Sequence, residues 1–163
     1  MQQLIPWLVF CLAVAVLCFF WPNAARIFVG SFFIVMAVAV NVVVATTAPD
    51  QFVKLGADAP LIPAYGWFFR TVVASAPQAV GIAAAAGEIA VGLLILSRGR
   101  GARLGLIGAI VFLLIITPLG VWTLPNPIFA AGLAWLLKRH FPSSVLRLPP
   151  LPSHRPTSKS TPT

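Results

Sequence analysis

From Leu4 to Leu137 the chain consists of apolar runs, most of them about one bilayer thickness long, divided by short segments that hold most of the charge. A helix needs about 20 apolar residues to cross a hydrocarbon core of ~30 Å. Inside lipid, the backbone polar groups must be bonded within the protein, which for separate runs of this length means α-helices. The runs are Leu4 to Trp21, Ile27 to about Thr46, Pro77 to Ser97, Leu104 to about Trp122, and Ile128 to Leu137. The last is short, but it can extend through Lys138 and Arg139, whose aliphatic stems reach along apolar surface to the interface. Only 9% of the 163 residues are charged, against about a quarter in soluble domains, so most of this surface must face lipid. The expected fold is all-α. A transmembrane helical bundle has a four-helix core, with spans about 27–46, 77–97, 104–122 and 126–141, and an added N-terminal span within residues 1–22.

Local signals place the boundaries. The first run closes at Pro22 and Asn23. It begins Met1-Gln2-Gln3 with no basic residue before Arg26, so it lacks the positive start of a secretory signal and reads as a retained span. Thr46 to Asp50 ends the second run. Residues 50–75 follow as the most polar stretch before the tail, and within them Tyr65, Trp67, Phe68 and Phe69 cluster beside Arg70. Aromatic residues favour the headgroup region, which predicts a short interfacial or partly re-entrant helix around 64–75. Pro77 suits a helix start, and Pro118-Leu119-Gly120 should kink or end the fourth span. Leu124 to Pro127 reads as a turn, with Pro127 at the first position of the last helix. From Pro142 the residues are mainly Pro, Ser and Thr with scattered Arg and Lys. That composition predicts a disordered basic tail over 142–163.

The formal net charge is +8. Most basic residues sit beside apolar runs and do not alternate with aromatics on a polar face, so nucleic acid is excluded as a partner. The partner these residues indicate is the bilayer, because basic loops stay on the cytoplasmic side. The 98–103 turn carries three Arg and no acid and goes inside. The uncharged 118–126 turn then lies outside, the C-terminus inside, the 47–76 segment outside, the Arg26 turn inside and the N-terminus outside. All six assignments agree on a multi-pass chain in the cell membrane, N-terminus out and C-terminus cytoplasmic.

Glu88 is the single acid within an apolar run. An ionisable group near the bilayer centre costs several kcal/mol unless it is paired, protonated or hydrated, which makes it a candidate functional residue. Gly81, Ala85, Glu88 and Gly92 follow a 4-3-4 spacing and share one helical stripe. Small residues there admit a neighbouring helix closely, so Glu88 should point into the bundle. Two roles are open: a structural hydrogen bond fixing helix register, or proton handling and contact with a ligand such as a quinone. Asn41 and Thr117 are candidate polar partners at compatible depth. Arg26 near the inner interface and Arg70 near the outer one read as interfacial charges.

No catalytic constellation and no metal-ligand spacing are present. Cys11 and Cys18 lie about 10 Å apart along one helix, too far for a disulfide, and read as packing residues. His140 and His154 do not provide the facing pair that bis-histidine haem ligation needs, so no cofactor is evident from the residues.

Three stretches in order resemble the DoxX-like family of small bacterial integral membrane proteins. They are Arg26-Ile27-Phe28-Val29-Gly30-Ser31-Phe32-Phe33, then Glu88-Ile89-Ala90-Val91-Gly92-Leu93-Leu94-Ile95-Leu96 with the Arg98 to Arg103 turn, then Pro118-Leu119-Gly120 with Asn126-Pro127. The likeness covers roughly residues 26 to 140 and leaves the first span as an addition. It implies a four-helix membrane core in a bacterial cytoplasmic membrane, with Arg26 and Glu88 as the family's polar positions. It also implies association with redox or other membrane proteins. Members include the small subunit of a thiosulfate:quinone oxidoreductase, and some are linked to oxidative-stress complexes. The expected function is therefore a non-catalytic membrane subunit or scaffold of a redox or stress-related complex. The alternatives are a quinone-linked oxidoreductase membrane subunit, with quinone as its ligand, or a small-molecule transporter.

Overall fold

Proline decides where most of the helices begin. With its fixed φ and missing N–H, it fits the first helical turn, where the N–H has no intrahelical acceptor. Pro22, Pro49, Pro63, Pro77 and Pro127 all occupy this position. The computed structural model describes residues 3–146. Among these, helix α1 is Leu4–Phe20 and α2 is Pro22–Thr47, with a π-helical stretch at Ala37–Val44. Helix α3 is Pro49–Ala57, and α4 is Pro63–Phe68 continued by a π-helical turn, Phe69–Val73. Helix α5 is Pro77–Leu96, α6 is Arg100–Ile116 with a 3-10 turn at Thr117–Leu119, and α7 is Asn126–Leu136.

Three of them, Pro22–Thr47, Pro77–Leu96 and Arg100–Leu119, are long and apolar enough to cross a membrane. Helix α1 has 17 residues and α7 has 11, so at 1.5 Å per residue they reach about 25 and 16 Å. The last helix does not run on through Lys138 and Arg139, because turns begin at Leu137. The fourth starts earlier than its apolar run, at Arg100. Where a helix was anticipated around 64–75 lies α4 with its π-helical turn, and α3, ahead of it, is a further helix in the same segment.

Five helices form a closed ring, in which α1 packs on α2 and α7, α2 on α5, α5 on α6, and α6 on α7. The added N-terminal helix is thus a full member. Cys11, Val14 and Cys18 on its inner face are buried, while Ile5, Val9, Leu12, Val16 and Phe19 form its exposed stripe. Within lipid the apolar effect does not draw helices together, so close packing and buried hydrogen bonds must do so. Between α2 and α5 the approach is backbone to backbone. A Cβ on Gly92 would lie 2.7 Å from the Gly30 carbonyl oxygen. In the middle, Phe33 and Phe112 meet at 5.8 Å between ring centroids, and Phe129 is fully buried.

Helix directions follow from the contacts. Arg26 meets Ser97, Gly30 meets Gly92 and Asn41 meets Gly81, so α2 and α5 are antiparallel. Trp7 meets Asn126, Phe10 meets Phe129 and Phe19 meets Trp135, so α1 and α7 are parallel. Arg26, the 98–103 turn, Lys138 and Arg139 therefore share one end of the ring, hereafter the basic end. The α3–α4 hairpin covers the other. Leu61 N–H donates to the Pro118 carbonyl at 2.9 Å and Tyr65 Oη to the Ile115 carbonyl at 2.6 Å, which ties the hairpin to the end of α6.

Residues 142–146 differ from the disordered tail expected over 142–163. Gly99 N–H donates to the Phe141 carbonyl, and Val145 N–H to the Leu96 carbonyl, each at 3.0 Å. The segment folds back because the final carbonyls of α5 need donors. Residues 147–163, the remainder of that expectation, lie outside the described residues, as does His154.

Candidate functional site

Helix α5 carries Glu88 on its buried stripe with Gly81, Ala85 and Gly92, the face that the 4-3-4 spacing marks. The glycines bring α2 close, and the π-helical stretch of α2 runs past Glu88. Such stretches widen a helix by one residue per turn and often mark functional sites. Here the stretch holds Asn41, and the Asn41 side chain is the polar group beside the Glu88 carboxyl.

The carboxyl faces a cavity of about 220 Å³ between the ring and the α3–α4 hairpin. Its walls are largely aromatic, with Phe33, Phe52, Phe69, Phe112 and Trp122 among them. The second π-helical turn, in α4, contributes Phe69 and Val73. Leu55 and Phe68 line the cavity and are also exposed on the outside. The hairpin is thus the thin wall of the chamber.

Trp7, Asn126, Thr123 and Asn41 around the chamber are bonded to protein atoms or face Glu88. Trp7 Nε1 donates to Asn126 Oδ1 at 2.8 Å, and Asn126 Nδ2 donates to the Leu113 carbonyl at 3.3 Å. Thr123 Oγ1 accepts from Gly120 N–H at 3.1 Å and has the Gly120 and Thr117 carbonyls at 2.6 and 2.7 Å for its own proton. Asn41 faces Glu88. Glu88 is 6% exposed, and its Oε2 has no hydrogen-bond partner. An acceptor left in this state in a buried place costs about 1–3 kcal/mol or more, so Glu88 is where a ligand would gain most.

The other singled-out residues lie elsewhere. Thr117 donates to the Leu113 carbonyl of its own helix at 2.7 Å and does not line the cavity. Arg70 is exposed and donates to the Ala57 carbonyl at 2.7 Å, joining the two arms of the hairpin. Arg26 is at the ring's basic end, but buried rather than reaching into the interface, with 3% exposure. Its Nη1 and Nη2 donate to the Ser97 and Ser143 carbonyls at 3.0 Å each, and its guanidinium lies 4.6 Å from the Phe141 ring centroid. The reason is the α5 terminus, whose free carbonyls attract a cation.

Sequence reasoning brought Glu88 and Asn41 together and missed Asn126, Trp7 and Thr123. The available signal was Asn126 itself, a fully buried amide at the start of an apolar helix. Among the described residues no three His, Cys, Asp or Glu converge as a metal site. The two cysteines are free and buried.

Compared with known proteins, the chain matches no family model, no curated protein and no solved structure.

Proposed function

We propose that this membrane protein is a non-catalytic subunit that holds the ring of a lipophilic small molecule, with a membrane quinone as the preferred class. The observation that carries this reading is the unpartnered Glu88 oxygen in a mostly apolar chamber rich in aromatic side chains. An apolar cavity of about 150 Å³ accepts benzene, so the chamber suits one substituted ring. A long tail would have to leave past the hairpin into lipid. A protonated Glu88 can donate to a ring carbonyl, and Asn41 can donate beside it. The DoxX-like resemblance points the same way, toward a redox or stress-related complex in a bacterial cytoplasmic membrane. In such a complex a partner chain would exchange electrons with the quinone. The basic end would face the cytoplasm.

The aromatic walls favour a second reading. An ionised Glu88 among faces of Phe and Trp would attract a lipophilic cation, as a small-molecule transporter requires. Trp7 and Trp122 line the chamber, so ligand-dependent change in tryptophan fluorescence reports on it. A short-tailed ubiquinone and benzyltrimethylammonium are the probes. On the quinone reading, Glu88→Gln keeps ubiquinone binding within about tenfold, since an amide still donates, while Glu88→Ala weakens it more. On the cation reading, Glu88→Gln abolishes benzyltrimethylammonium binding. Neither reading survives if both probes leave the fluorescence unchanged, or if Glu88→Ala binds them as the parent does.

A further inference from the structure

The basic end holds a second cavity, of about 240 Å³, between the start of α6 and the end of α7. Arg100 and Arg103 line it from α6, and Arg139 and His140 from the chain leaving α7. Its floor is apolar, with Leu106 and Leu137. The cavity is held in shape by the backbone. Gly99 has φ +57°, a conformation that favours glycine, and its N–H donates to the Phe141 carbonyl. That bond fixes the 98–103 turn against the chain after α7, and Arg26 over the Phe141 ring holds the same wall.

Among the described residues these arginines have no carboxylate to meet. The sequence has three acidic residues, Asp50, Asp58 and Glu88. The first two belong to α3 and its end, across the ring, and the third lies in the aromatic chamber. Helix α6 adds to the positive field, because its first turn contains no acid and its cap residue supplies no side-chain bond. This field suits an anion. Outside the cavity, Leu104, Ile107 and Val111 form an exposed apolar track along α6, at the i, i+3, i+7 spacing of one helix face. Free phosphate would leave this track unused, whereas an acyl chain lies along it.

We propose that the cavity is a binding site for the phosphate headgroup of an anionic membrane lipid, with the lipid's acyl chain along the Leu104–Ile107–Val111 track. Basic pockets between helices at the cytoplasmic membrane face are suited to such headgroups. The site is independent of the aromatic chamber and of any quinone.

The full chain is purified in a neutral detergent, and its thermal midpoint is followed as lipid is added. Phosphatidylglycerol raises the midpoint; phosphatidylcholine and inorganic phosphate at equal concentration do not. Native mass spectrometry finds phosphatidylglycerol retained in preference to phosphatidylcholine. Arg103→Gln weakens phosphatidylglycerol binding about fivefold, as does Arg139→Gln. Arg98→Gln, on the same turn but outside the cavity lining, leaves it within about twofold, and so does Lys54→Gln at the opposite end. The single changes are of exposed residues and leave the lipid-free midpoint in place, which shows that each variant is folded. Equal stabilisation by inorganic phosphate would assign the cavity to a free anion. Equal losses for Arg98→Gln and Arg103→Gln would reduce it to diffuse surface charge. Equal retention of the two lipids by the parent chain would remove the site altogether.

Discussion

Arg26 shows what one side chain can join. Its guanidinium bridges the end of α5 to a segment after α7, through carbonyls 71 and 117 residues away in sequence. Arg26→Ala should lower stability by about 2–3 kcal/mol, since two charged hydrogen bonds are lost and a buried guanidinium no longer joins the Ser97 and Ser143 carbonyls. It should also free residues 141–146, so that trypsin cuts faster after Arg139. Arg26→Lys should recover part of the midpoint only, because an ammonium lacks the planar fork. Asn126→Ala is the companion case. It strips Trp7 of its acceptor, and should cost about 1–3 kcal/mol and weaken the near-ultraviolet dichroism of the tryptophans. The sequence marked Arg26 as a polar position but not as buried. Its acceptors are backbone atoms, and residue type does not reveal where a carbonyl points.

At the scale of elements, the α2–α5 pair rests on glycine. Gly92→Ala would place a methyl 2.7 Å from the Gly30 carbonyl oxygen, a backbone atom that cannot swing aside. The helices must part, and the thermal midpoint in detergent should fall by the equivalent of about 1–3 kcal/mol. An unchanged midpoint would mean the two backbones are further apart than described. The stripe that includes Gly92 was legible because helical spacing is a local property. Helix α3 was not legible. Its nine residues mix Asp50, Gln51 and Lys54 with Phe52, and its apolar face has meaning only where Phe52 meets Ala45 and Val73. The two π-helical stretches were equally hidden. Ala37–Val44 is rich in β-branched valine, which disfavours the α-helix mildly, but the extra residue per turn depends on what packs alongside.

For the whole molecule, apolar runs were enough to indicate an all-helical membrane bundle, and the charges were enough to pair the turns by side. The order of helices around the ring was beyond reach, since lipid-facing and ring-facing residues are both apolar. The shared basic end has a direct check. If the basic end faces the cytoplasm as proposed, an impermeant maleimide added to intact cells should label Asp58→Cys from outside, and label Arg98→Cys only after the membrane is opened. Cys11 and Cys18, both with 0% exposure, should stay unlabelled in the folded parent. Labelling of both introduced cysteines from one side would contradict the helix directions.

The parallel pairing of α1 with α7 bears on how the protein is made. A ribosome releases α1 first and α7 last among the described helices, yet Trp7 donates its hydrogen bond to Asn126, 119 residues downstream. During synthesis the first helix must wait in the bilayer while the others arrive, with its indole N–H turned toward headgroups or water. The aromatic chamber, which both residues line, therefore comes into being at the close of translation. A nascent chain stopped before Asn126 would carry Glu88 into the membrane without the wall that α7 completes, and would present the cell's quality-control proteases with an open ring.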